Sequence, residues 1–122
     1  KIINSDWISH NFGFDDIVIA NDLFPNVDQR LELFLLKVLP HCKELRISLT
    51  IDNNENYYNV KRVDGNELMC LKGMNGESVY NILKKYLINI NQLNLEELNY
   101  NEDSPWDNGR QVFLLKIKGY LN

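Results

Sequence analysis

Acid–base, thiol and metal chemistry all depend on histidine, cysteine and carboxylate side chains, and this chain of 122 residues holds two His, two Cys and seventeen acids. Hydrolysis by acid–base catalysis needs a base, an acid and a cation to stabilise developing charge. His10, His41 and Lys43 are of those types, but no spacing joins them. His41 follows Pro40 at a helix end, where it is expected to meet the last helix carbonyls. Cys42 and Cys70 lack any CxxC or Cys/His ligand spacing. Two reduced, mostly buried thiols in a reducing, cytoplasmic setting are therefore expected. Neither His10, His41, Cys42 and Cys70 as a zinc set nor Asp6, Asp15 and Asp16 as a divalent-ion loop has the required pattern, so no metal and no cofactor is expected. The six glycines are scattered, and no phosphate loop, dinucleotide fingerprint, GxSxG, HExxH or EF-hand sequence occurs. Binding rather than catalysis is expected.

The acids are unevenly spread. Net charge is −4, yet the first 32 residues alone set six acids against Lys1 and Arg30. The stretch 99–109 adds Glu102, Asp103 and Asp107 without a base. Phosphate recognition needs clustered Lys and Arg, so direct nucleic-acid binding is disfavoured. The run from Asn99 to Arg110 is polar and turn-forming, and it sets Tyr100 and Trp106 among those acids. Trp, Tyr and Arg dominate interface energies, and neighbouring carboxylates steer a cationic partner. A second candidate is Asn4 to Asp16, where Trp7, Phe12 and Phe14 alternate with Asp6, His10, Asp15 and Asp16. The partner-binding set read from the sequence is thus Trp106, Glu102, Asp103, Asp107 and Tyr100, joined by Asp15, Asp16 and Trp7. The opposing structural role, Trp106 as a lid and the N-terminal aromatics as core, applies to both stretches.

Positioning falls to the elements between them. Ile17–Ala20 reads as a short strand. A helix follows from about Asn26 to Leu39, capped by Asn26 or Asp28 and stopped by Pro40. Leu45 to Ile51 alternates apolar and polar residues, Tyr57–Val63 and Glu67–Leu71 flank Asp64-Gly65, and short turns join all three runs. A second helix starts near Glu77 or Ser78 with Val79, Ile82, Leu83, Tyr86 and Leu87 on one stripe. Leu93–Tyr100 fits either a strand or a helical turn, and Arg110–Leu121 reads as a strand with Phe113, Leu115 and Ile117 on one face. The expected architecture is one α+β domain over 1–122, with a mainly antiparallel sheet, a central three-stranded meander and two helices packed on it. The longest apolar run, Leu33 to Leu39, is too short for a membrane span and contains Lys37, so no membrane partner is expected.

Size, acidity, a single α+β domain, reduced cysteines and the run Asp103-Ser104-Pro105-Trp106-Asp107 give the whole chain a class-level likeness. It resembles the small acidic immunity proteins that bacteria make against secreted or contact-delivered toxins. The resemblance implies an inhibitor of a basic partner, a toxin domain such as a nuclease, and it carries no residue roles with it. The alternative is a small ligand-binding or enzymatic domain with a pocket between sheet and helices, using Tyr57, Tyr58 and His41.

Overall fold

The structure, a computed structural model, describes residues 2–24, 27–61, 65–87 and 109–122. The elements run in the order strand β1 (Asp15–Phe24), helix α1 (Arg30–Val38), strands β2 (Cys42–Ile51), β3 (Asn56–Lys61) and β4 (Leu68–Gly73), helix α2 (Gly76–Tyr86) and strand β5 (Gln111–Lys118). A single 3-10 turn, Leu39–His41, links α1 to β2. The content is α+β with two helices among the described residues, in the element order the hydropathy pattern predicts.

The strand pairing differs from that expectation. β2 is central, parallel to β1 on one side and antiparallel to β5 on the other. β3 and β4 form a separate antiparallel hairpin. The central meander is therefore absent, and the principal sheet is mixed. The cause is competition for one strand. β2 has two edges, and both are occupied, so Asn53-Asn54-Glu55 cannot fold β3 back along it. The hairpin is instead tied to the end of β2 through Val27, whose N–H reaches Thr50 O at 2.8 Å and whose carbonyl accepts from Met74 at 2.9 Å. The outer edge of β4 is capped by Gln29, whose side-chain amide donates to Cys70 O and accepts from Lys72 N at 3.0 and 2.8 Å. One side chain thus supplies both bonds a neighbouring strand would make and blunts the edge.

Local chemistry explains the helices. Asn75 caps α2, its side chain accepting from Ser78 N at 3.0 Å, so the helix begins one residue earlier than its apolar stripe indicates. At the start of α1, Asp28 accepts from Arg30 N at 2.9 Å, and Pro40 falls in the 3-10 turn that ends the helix. Leu45, Ile47, Leu49 and Ile51 of β2 are buried with Leu31, Phe34, Leu35 and Val38 of α1 and Val79 and Leu83 of α2. Leu87 and Phe113 pack at the margin of that core. Leu49→Ala is expected to cost about 3 kcal/mol, because a rigid β2 held on both sides cannot collapse into the cavity. Chemical denaturation with an unchanged slope checks this; a loss below about half a kcal/mol contradicts the facing of β2.

The helices also meet through charge. Glu32 on α1 accepts from Tyr86 Oη of α2 at 2.7 Å and pairs with Lys85 Nζ at 3.3 Å. The hydrogen bond to the Glu32 carboxylate is the main reason the Tyr86 phenol is pushed up to about 12, while the same bond and Lys85 hold Glu32 below its ordinary 4.5. The signs follow from linkage. The raised Tyr86 contributes stability fully below pH 10 that is lost as pH climbs through about 12. The depressed Glu32 contributes above its unfolded value of 4.5 and loses that contribution as pH falls through its lower folded value. Glu32→Gln should bring one tyrosine titration step back toward 10, read by tyrosinate absorbance; an unmoved step means that Tyr86 does not lean on Glu32.

Candidate protein-binding surface

The described part of the acidic surface lies where β1 begins. The His41 ring nitrogen Nδ1 sits 3.0 Å from Gly13 O, and the same ring stacks on Phe14 with centroids 5.7 Å apart. His41 therefore binds the strand entering the sheet rather than the carbonyls of α1, because the 3-10 turn swings it off the helix axis. The stack holds Phe14 while leaving it 80% exposed. Asp15 and Asp16, both exposed, come next on the chain. Asp16 Oδ1 meets Lys43 Nζ at 2.7 Å, and that hydrogen bond with the lysine charge holds the carboxyl below its usual range. Asp15 lies opposite Cys42 in the parallel register. Cys42 is buried, and burial first, then the Asp15 charge, push its thiol up and away from reactivity.

Trp7 occupies a different place. Its half-buried ring packs edge-on to Phe34 at 5.3 Å and tilted on Phe24 at 6.3 Å, so it seals the core beside α1. With Phe12, Val18 and Leu23 it lines a 230 Å³ hollow on that side of β1. Tyr100, Glu102, Asp103, Trp106 and Asp107 lie outside the described residues. The structure brings Asp15 and Asp16 together with Phe14 and His41, and it sets Trp7 apart from them.

One further expectation is corrected. Cys70 is exposed on the hairpin instead of buried, since the alternation along β4 turns Met69, Leu71 and Gly73 inward and Cys70 outward. Of the residues in the alternative pocket, Tyr57 is exposed on β3 and Tyr58 is half-buried there. Asp28, one of the six acids of the first 32 residues, is fully buried and bound by the Arg30 guanidinium at 2.9 and 2.7 Å. His10 packs edge-on to Phe12, His41 is held by Gly13 and Phe14, and Lys43 pairs with Asp16. No group of three or more His, Cys, Asp and Glu is gathered for a metal among the described residues. Phe14 is the exposed aromatic that the partner-binding set read from the sequence left out. The signal was its place directly before two acids at the start of a strand, where the inward alternation has not yet begun.

No protein-family model, no curated protein and no solved structure matches the chain. Among the described residues no helix is long and apolar enough to cross a membrane.

Proposed function

We propose that the chain is a protein-binding inhibitor of the immunity type, neutralising a basic partner, such as a toxin nuclease domain, through an acidic surface that bears aromatic anchors. The observation that supports it is Phe14, exposed yet fixed by its stack on His41, with Asp15 and Asp16 beside it. An aromatic already held in place loses little freedom on binding, which is what an anchor requires. Its free face suits an arginine or lysine of the partner, and the carboxylates speed the encounter and bias it toward basic surfaces. The Asp16–Lys43 pair is exposed and so of little worth on its own, leaving Asp16 free to exchange Lys43 for a partner cation. The stretch that holds Tyr100, Glu102, Asp103, Trp106 and Asp107 supplies the second contact in this reading.

The test is isolation of the complex from native lysate, identification of the partner, and reconstitution from purified components. A basic protein bound one to one, with its activity suppressed, is the expected result. Phe14→Ala and Trp106→Ala should each act on dissociation by about 2 kcal/mol or more. Asp15→Asn and Asp107→Asn should slow association, less so at high salt. A partner without basic character, or variants that all bind like the wild type, overturns the proposal.

A further inference from the structure

Both helices cover one face of the β1–β2–β5 sheet, and on the other face the alternation turns outward a set of side chains that the reading above does not use. From β1 these are Ile17 and Ile19, 47% and 69% exposed; from β5, Leu114, 81% exposed, with Lys116 and Lys118. The register places them in rows across β2: Ile17, Glu44 and Lys118; then Ile19, Arg46 and Lys116; then Leu114 beside Ser48. A 390 Å³ hollow opens among these rows, floored by Ala20, Ile47 and Leu115 and walled by Ile19, Leu114 and Lys116.

The charges on this surface are of one dominant sign. Among the described residues Glu44 is the single acid of these three rows, and it is already engaged twice, by Arg46 Nε at 2.6 Å and Lys116 Nζ at 3.3 Å. Lys118 adds a third cation with no carboxylate in salt-bridge range among the described residues. The acidic patch of Asp15 and Asp16 begins only one row further along β1, so the molecule sets an acidic and a cationic surface side by side. Apolar side chains bracketing surplus cations complement a ligand that is apolar on one side and acidic at its margin. The size of the surface fixes its form. From Glu44 to Ser48 the strand rises about 13 Å, and three strands span about 10–14 Å, which matches one helix of about two to three turns lying on the sheet.

We propose that the outer face of the β1–β2–β5 sheet, at Ile17, Ile19 and Leu114 with Arg46, Lys116 and Lys118, docks an amphipathic helix of a partner protein whose apolar stripe is bordered by acidic residues. Docking completes a three-layer arrangement, helices on both faces of the sheet. Ile19 and Leu114 fill the grooves of the incoming stripe, and its carboxylates take over Arg46 and Lys116 from Glu44 and reach Lys118. This site borders the Phe14 patch but does not rest on it.

The test uses two helix-stapled, fluorescently labelled peptides of about 12 residues with the same leucine stripe, one bordered by glutamates and the other by lysines. Fluorescence anisotropy against the whole chain should show the glutamate peptide binding at least about tenfold tighter. Leu114→Asp should abolish that binding, and Lys116→Glu with Lys118→Glu should reverse the preference. Both changes lie at exposed positions, and thermal melting verifies the fold. Phe14→Ala should leave peptide binding unchanged, which separates this proposal from the one above. Equal affinity for the two peptides, no binding of either, or binding indifferent to Leu114→Asp overturns it. So does sedimentation showing self-association that Leu114→Asp dissolves, because a second copy would then be the occupant, or saturation by decanoate where neither peptide binds.

Discussion

Arg30→Met should lower stability by about 3–5 kcal/mol, although Arg30 stands at the edge of the molecule. Its guanidinium bonds Asp28 at 2.9 and 2.7 Å, and the Asp28 side chain is 0% exposed. Methionine fills the stem but leaves a buried carboxylate whose one remaining donor among the described residues is the Arg30 backbone N–H. The pair itself need not be strongly stabilising, because desolvation offsets most of the attraction. Its removal from one side is what costs. The double variant Asp28→Asn with Arg30→Met separates these statements: the amide keeps the bond from Arg30 N, so most of the loss should return. Denaturant midpoints of the two variants decide the matter. A single variant within about 1 kcal/mol of wild type would mean that Asp28 reaches water.

Gly119→Ala should cost about 3 kcal/mol or more, at or beyond the upper end of ordinary overpacking. A Cβ at Gly119 would stand 2.0 Å from the Cys42 carbonyl oxygen, 2.7 Å from its carbon and 2.9 Å from Sγ. The first two are backbone atoms of the buried first residue of β2, which cannot rotate away. Three hydrogen bonds fasten the tail there: Gly119 N to Lys43 O at 2.8 Å, Tyr120 N to Leu39 O at 2.9 Å and Leu121 N to Cys42 O at 3.1 Å. Relief of the clash therefore lifts the tail and exposes the end of the core. Gly13→Ala is the internal control, since its Cβ would meet nothing within 4 Å, and it should be close to neutral. Equal melting temperatures for the two variants would show that the tail is not seated on β2.

The two residues behind these effects illustrate where sequence information stops. Asp28 reads from the sequence as one more acid in an acidic segment or as a helix cap, and it does bind the Arg30 amide as a cap would. Only the fold reveals that the side chain is buried and that its second oxygen holds a guanidinium. Gly119 carries no turn or hairpin signature at all. Its constraint is the proximity of a strand 77 positions earlier, counting from Cys42 to Gly119, and no local pattern encodes that distance.

The sequence by itself determined the order and nature of the elements, because helix and strand are written in the spacing of apolar residues and in local cap chemistry. The alternation through Leu45 to Ile51, the stripe from Val79 to Leu87 and the break at Asn75-Gly76 all act within a few residues of one another. It also determined which face of β2 is apolar, and hence much of the core. Strand pairing was decided by the tertiary structure. β2 accepts β1 and β5 on its two edges and leaves the hairpin outside, a competition between segments that are distant in the chain and equally competent to pair. The candidate surfaces follow the same division. The chain lists its acids and aromatics, but whether Trp7 seals the core and Phe14 faces solvent depends on Phe24, Phe34 and His41 arriving from other elements. Burial is a property of what packs opposite a side chain, and that partner is chosen by the fold.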